Sequence, residues 1–273
     1  MGLDIHGLNW LKYASKKGGL GKTATLARQG THISKKYLES VGIITASEYC
    51  EDILIKYLGA EKVDSYDFSN YENATHICDL SLIQEFEQQY DTIIDYGVTE
   101  HVYHITNALM NISNLCQVGG QILHVLPTNN YCGHGFWQIS PELFFSLYTE
   151  NNGYEQTEVF VAEPSNIDVW YKVNKPSNGQ RVNIWTEDEL IVLVRTIKVK
   201  PHMHKSVYQS DYSYLWSNKQ LMQIDNIKPK SIIRKIFGKI LHIFNRVINL
   251  NQRNKTDLLR NQSLTKIMVK DLV

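Results

Sequence analysis

The stretch YDTIIDYGVTEHV (90–102), with QVGGQILHVLP (117–127) and NNYCGHGFWQISPELFFSLYTENNGY (129–154) behind it, decides the fold. The run 90–97 is β-rich and closes on Asp95-Tyr96-Gly97, and the run 121–127 is β-rich and closes on a proline. Between them, 102–116 carries the spacing of a helix. Strand, helix and strand in that order form a parallel pair with a crossover. Ser140-Pro141-Glu142 then starts a second helix over 140–151, with Ser as cap, Pro at the first helical position and an acid in the first turn. Asn152-Gly153 stops it.

Working outward, the runs 24–28, 62–67, 75–79, 155–163 and 189–199 complete a set of seven predicted strands. Helices are predicted over 35–41 and 49–58. The last two strands are joined by a long insertion, 164–188. The expected architecture is an open, mostly parallel, seven-stranded Rossmann-like sheet with helices on both faces, five parallel strands ending in an antiparallel pair. Residues 1–23 read as an N-terminal helix and glycine turn, 24–200 as the α/β domain and 201–273 as a basic amphipathic helical tail. No fixed-period repeat appears.

The chain has 273 residues, 28 Lys and Arg against 28 Asp and Glu, and 43% apolar residues, enough for one sizeable core. Cys50, Cys78, Cys116 and Cys132 form no C-x-x-C pair and no dense disulfide framework, so a reducing cytoplasm is the expected location. No apolar stretch has the length of a signal-peptide core or of a membrane span. Charge is unevenly placed. Residues 226–260 hold nine Lys and Arg against one acid, Asp257, a local excess of about +8 that leaves the rest of the chain acidic.

Lys17-Gly18-Gly19-Leu20-Gly21-Lys22-Thr23 matches, letter for letter, the K-G-G-x-G-K-T loop of deviant Walker ATPases. A phosphate cradle needs a strand before the glycines and a helix after them. Here the preceding segment reads as helix and the following one as strand, so a plain glycine turn is the simpler reading, and a P-loop ATPase stays as an alternative.

The order of features from Tyr90 onward resembles the second half of a class I S-adenosylmethionine-dependent methyltransferase: a fourth strand ending in acid and glycine, an x-x-E-H loop, and a Gly-Gly turn launching a fifth strand into a proline. KYLGAEKVDSYDFSNYENATHICDLS (56–81) is similar to that family's second and third strands, with an acid at each strand end. The resemblance spans roughly residues 20–165 and implies S-adenosylmethionine as cofactor, bound at the carboxyl ends of the strands. It assigns cofactor contacts to Arg28, Gln29, Gly30, Asp67, Phe68, Asp79, Leu80, Asp95 and Gly97. Asp67 would take the ribose hydroxyls, Phe68 would flank the adenine, and Asp79 and Leu80 would meet its amino edge and face. The family's glycine-rich turn after the first strand is absent. TLARQ (25–29) is similar to a T-L-G-R-Q strand end of a bacterial branch found among sugar and surface-glycan genes, with Ala27 where a glycine would accept positive φ. A catalytically silent protein that keeps the fold as a binding module is therefore a further alternative.

Methyl transfer needs a nucleophile in line with the sulfonium and a group to take its proton. His134, flanked by Gly133 and Gly135, is the first choice for that base and His101 the second, with Glu100, Asn129, Asn130 and Gln138 as acceptor contacts. His101 and His104 have i, i+3 spacing, but no carboxylate or Cys at ligand spacing completes a set, so no metal is expected. Aromatic residues are dense at Tyr131, Phe136, Trp137, Trp170, Tyr171, Trp185, Tyr208, Tyr212, Tyr214 and Trp216; most read as core, and rings of this kind suit a small-molecule, glycan or nucleotide-sugar acceptor of a polysaccharide biosynthesis enzyme. No nucleic-acid module is present. Ile232 to Ile248 form an apolar stripe opposite cations, predicting a helix over 229–250 that lies on an anionic membrane surface, making the chain peripheral there, or packs in a homodimer.

Overall fold

Along the strand Tyr154–Ala162, Val159 and Val161 enter one apolar core while Phe160 and Ala162 enter another. The same alternation divides Ile93 from Ile94, Ile122 from Leu123, and Val192 from Leu193. Successive strand side chains point to opposite faces, so this pattern means a sheet buried on both sides. The computed structural model describes residues 2–201, 207–217, 258 and 261–273.

In chain order the elements are β1 (Gly2–Leu3), α1 (Ile5–Gly18), β2 (Gly21–Leu26), β3 (Gly30–Thr31), α2 (Lys35–Ser40), α3 (Glu51–Leu58), β4 (Ala60–Asp67), β5 (His76–Ile77), β6 (Tyr90–Tyr96), α4 (Ile105–Leu115), β7 (Cys116–Asn129), α5 (Pro141–Leu147), β8 (Tyr154–Ala162), β9 (Val169–Val173), β10 (Leu190–Lys198), α6 (Ser210–Ser217) and β11 (Leu264–Met268). The main sheet runs β11-β9-β8-β10-β7-β6-β2-β4-β5, and β1 pairs with β3 in a separate two-stranded ribbon. From β5 to β7 neighbours are parallel. From β7 to β11 every pairing is antiparallel. Residues of α4 and α5 join one core, and residues of α1, α2 and α3 the other. The chain thus moves outward from β2 to β5 and returns to lay β6 on the other side of β2, which opens a crevice at the carboxyl ends of β2 and β6.

The seven predicted strands are all present, as β2, β4, β5, β6, β7, β8 and β10. Two further strands extend the sheet. β9 lies inside the long insertion 164–188, where Trp170 is wholly buried, and β11 lies inside the stretch expected to be helical tail and pairs along β9. Boundaries moved for identifiable reasons. β2 ends at Leu26 because Ala27 turns into the left-handed region, at φ 53. The third run shrinks to His76–Ile77 because the Asp79 carboxylate accepts from the Ser81 amide and turns the chain at the sheet edge. The helix expected over 140–151 stops at Leu147, with a separate 3-10 turn at Glu150–Asn152. The predicted helix at 229–250 lies outside the described residues.

α1 is integral to the body. The Asp4 carboxylate caps it by accepting from the Gly7 amide at 2.8 Å. Trp10 is wholly buried, stacked on Tyr13 and edge-on to Phe160 and Trp170 with centroids 5.2–5.5 Å apart. The Trp170 indole donates to His6 Nδ1 at 3.0 Å, and burial holds the His6 imidazole below its ordinary value. Removing the Trp10 ring empties the centre of that cluster. Trp10→Ala is expected to lower unfolding free energy by about 3–5 kcal/mol in urea titration, whereas an independent N-terminal segment would leave the main transition in place.

Candidate functional site at the carboxyl ends of the strands

The crevice at the switch point encloses about 390 Å³. Each wall comes from the residues just beyond a parallel strand: Ala27 after β2, Asp67 and Phe68 at the end of β4, Cys78 to Ser81 after β5, and Val98, His101 and Val102 after β6. Tyr103 and Phe136 close the outer side, and both are exposed. The lining is mainly apolar, with two carboxylates at the strand ends. Asp67 accepts from the Ser69 amide at 3.2 Å and keeps its second oxygen for other donors. The Ser81 hydroxyl and amide hold the Asp79 carboxyl below the usual carboxylate range.

At the β2 turn the chain accepts a cost. A non-glycine residue in the left-handed region is disfavoured by roughly 1–2 kcal/mol, and Ala27 is held there by several bonds. Its amide donates to Tyr66 O at 2.7 Å and its carbonyl accepts from the Thr25 hydroxyl at 2.8 Å. The buried Gln29 amide donates to both Leu26 O and Tyr96 O, tying the β2 turn to β6.

The structure gathers part of the predicted set around this crevice and sends the rest elsewhere. Asp67, Phe68, Asp79, Leu80 and His101 line it. Gln29 is a structural tie. Arg28 points toward α3, donating to Glu51 at 2.7 Å and to Glu72 O at 3.0 Å, with its guanidinium 3.9 Å above the Tyr49 ring. Gly30 belongs to the β1–β3 ribbon. Gly97, at φ 69, donates to Val125 O and turns the chain out of β6. Asn129 and Asn130 donate to carbonyls between Thr186 and Asp188. The Gln138 side chain accepts from the Tyr131 amide. Those three close the long loops over one another.

Asp95 is wholly buried and turned inward. It accepts from the Thr99 hydroxyl at 2.8 Å and pairs with His124 Nδ1 at 2.7 Å, and the ring's other nitrogen, Nε2, pairs with the Tyr148 hydroxyl at 2.6 Å. This chain of bonds fixes the 3-10 turn Thr99–His101, which carries the next pair of site residues. Sequence reading had no means of finding His124 or Tyr148, since each stands singly in an apolar run.

Glu100 and His101 project from that turn toward His134 on the loop after β7. The loop is clamped to the turn because the Phe136 and Trp137 amides both donate to Glu100 O, at 2.8 and 3.2 Å, and the Trp137 indole donates to Val102 O. Gly135 has φ 68, and a Cβ there would lie 2.9 Å from the Glu100 Cγ and carbonyl oxygen. Glu100 Oε1 is 3.4 Å from His134 Nε2 and 3.9 Å from His101 Nε2, and the two imidazoles meet edge-on at 4.9 Å. Neither Glu100 oxygen has a hydrogen-bond partner among the described residues. Burial first, and the Asp95 carboxylate second, push the Glu100 carboxyl up to about 8. Burial and the neighbouring His134 hold the His101 imidazole below its ordinary value. His104, which has i, i+3 spacing from His101, meets Tyr103 edge-on.

The glycine turn at 18–21 sits at the opposite, amino-terminal edge of the sheet. A helix precedes it and β2 follows, the reverse of a phosphate cradle, and the Asp91 carboxylate already accepts from the Lys22 amide at 2.8 Å. The nucleotide-cradle alternative has no support in this arrangement.

No family model matches the chain, and no curated protein does. Among solved structures, the N-methyltransferase NodS from Bradyrhizobium japonicum, crystallised with S-adenosylhomocysteine, is 11% identical, with 70% of this chain and 84% of that one covered at a TM-score of 0.37. A putative methyltransferase from Bacillus halodurans is 12% identical, covering 71% and 99%, at 0.41. The StiE O-methyltransferase segment is 14% identical, covering 78% and 79%, at 0.37.

The buried carboxyl at Glu100 makes stability depend on pH with a defined sign. Unfolded, it loses its proton near about 4.3, while folded it keeps the proton to about 8. Across that window the folded state holds a proton that the unfolded state has lost, so stability falls as pH rises, by up to about 1.4 kcal/mol per unit, and levels off above it. In chelator-treated protein, Glu100→Gln is expected to melt above the parent chain at pH 8 and with it near pH 5. Equal melting curves at both pH values would show that Glu100 is solvated.

Proposed function

We propose that the chain is a methyltransferase that uses S-adenosylmethionine to methylate oxygen or nitrogen on a small-molecule acceptor. The observation that carries this reading is the crevice at the switch point, whose lining sets Asp67 and Asp79 among Phe68, Leu80 and Tyr66. That combination fits a nucleoside. A strand-end carboxylate accepts from two ribose hydroxyls, an apolar wall takes the face of a purine, and a second carboxylate accepts from its amino group. The methionine part of the cofactor then runs past the Ala27 turn, where contact comes from the backbone, because Arg28 and Gln29 are engaged elsewhere.

In the transfer, the acceptor heteroatom attacks the methyl carbon in line with the carbon–sulfur bond, that bond breaks, and S-adenosylhomocysteine leaves with the electron pair. The acceptor's proton must go to a group at the mouth of the crevice. His134 is half exposed, at 49% for its side chain, on a loop held rigidly against the turn that bears His101, and it is the base in this reading. The finer identity of the acceptor as a sugar or surface glycan rests on the TLARQ strand end and the aromatic rim. The basic stripe over 229–250, which lies outside the described residues, would place the enzyme on an anionic membrane surface or against a second copy. No helix among the described residues is long and apolar enough to cross a membrane.

Isothermal titration with S-adenosylmethionine, and separately with ATP and magnesium, is expected to show binding of the first alone. Asp67→Ala should weaken that binding by about 1.5–3 kcal/mol, the range for a hydrogen bond to a charged group, with an unchanged melt. His134→Ala should retain cofactor affinity and transfer labelled methyl to a panel of sugar and amine acceptors about 100-fold more slowly. Cofactor binding without transfer to any acceptor would favour the silent binding module, and no binding of S-adenosylmethionine would end the reading.

A further inference from the structure

Glu100 is the most conspicuous polar side chain left without a partner. Its carboxyl side chain is 1% exposed, neither oxygen has a hydrogen-bond partner among the described residues, and two imidazole nitrogens from different segments face it. A buried polar group left unpaired is destabilising, so the arrangement calls for something that binds all three groups at once. At 3.4 and 3.9 Å neither imidazole nitrogen makes a well-formed hydrogen bond to the carboxyl group.

We propose that Glu100, His101 and His134 bind one divalent transition-metal ion of the zinc class at the mouth of the crevice. Their ligand atoms all lie within 4.8 Å of one another. Ligands around a tetrahedral ion at bonds of about 2.0–2.2 Å are about 3.3–3.6 Å apart, so small side-chain rotations close the set. One carboxylate and two imidazoles select zinc, cobalt or iron over magnesium and calcium, which prefer oxygen ligands. The positioning is already built. Thr99 is pinned by Asp95, and the His134 loop is pinned by two amides on Glu100 O. Three protein ligands leave a fourth position open, and one of them, His101, also lines the crevice.

The ion itself stands on this geometry, and its use rests on the proposed methyl transfer. An acceptor hydroxyl at the open position would have its pKa lowered, so that it attacks as the alkoxide or phenolate after its proton passes to solvent. In that state His134 holds the ion and takes no proton.

Untagged full-length protein, dialysed against a chelator, would be titrated with Zn²⁺ by calorimetry and with Co²⁺ by visible absorption. One equivalent should bind, with the d–d bands of a low-symmetry four- or five-coordinate cobalt site. His134→Ala and His101→Ala alter exposed side chains and should keep the parent's melt, yet weaken Zn²⁺ binding by more than about tenfold. No stoichiometric binding, or binding unchanged in both variants, overturns the proposal. S-adenosylmethionine titrated into the same chelated protein keeps the two readings apart. Cofactor binding without zinc sinks the metal site alone, and zinc binding without cofactor sinks the methyl-transfer reading alone.

Discussion

The Asp95 carboxylate is the point on which the site depends. It ends β6 inside the core, accepts from Thr99, pairs with His124, and through His124 reaches Tyr148 beyond the end of α5. One buried acid therefore fixes the turn after β6, the middle of β7 and the segment that follows α5 relative to one another. A buried polar group is tolerated only when its hydrogen-bonding atoms are met, and here the Thr99 hydroxyl and amide and the His124 ring meet them. The residues that follow in sequence, Glu100 and His101, inherit their position from that anchor.

The candidate site residues gather at one rim of the sheet for a related reason. Both faces of the parallel strands are covered, by α4 and α5 on one side and α1 to α3 on the other, so side chains along the strands have no water to meet. At the carboxyl ends the coverage stops, and β2 and β6 feed loops that diverge in opposite directions. Asp67, Asp79, His101 and His134 all lie on such loops or strand ends. Glu100 is the exception, since it carries rim chemistry into a buried position, and its raised carboxyl is the electrostatic mark of that placement. The left-handed Ala27 at the neighbouring turn is a second strained position on this rim.

Strand content was largely legible because alternating or continuous β-branched runs between turn residues carry their own signal, as at Thr92-Ile93-Ile94 and Ile191-Val192-Leu193. The carboxylate Asp67 was legible too, since it closes such a run, whereas Asp79, expected at a strand end, stands two residues past the shortened β5. β9 and β11 were hidden because neither is stabilised by its own pattern. Val169–Val173 pairs partly with β8 and mostly with Leu264–Met268, and that second partner lies far along the chain. Asn129, Asn130 and Gln138 read as ligand contacts from their amides, yet those amides close loops, a use that composition cannot separate from binding.

By itself the sequence determined the α/β class, the order of the seven central strands along the chain and which acids end them, since periodicity, caps and turn residues act over a few neighbours. Only the tertiary structure decided which of those residues meet. Asp95 faces inward because His124 and Thr99 offer partners there, and Arg28 leaves the crevice because Glu51 and the Tyr49 ring hold it. Glu100, His101 and His134 become one cluster because two backbone amides lay the loop after β7 on the turn after β6. Such contacts depend on the crossing of distant segments, and a linear pattern carries no record of that crossing.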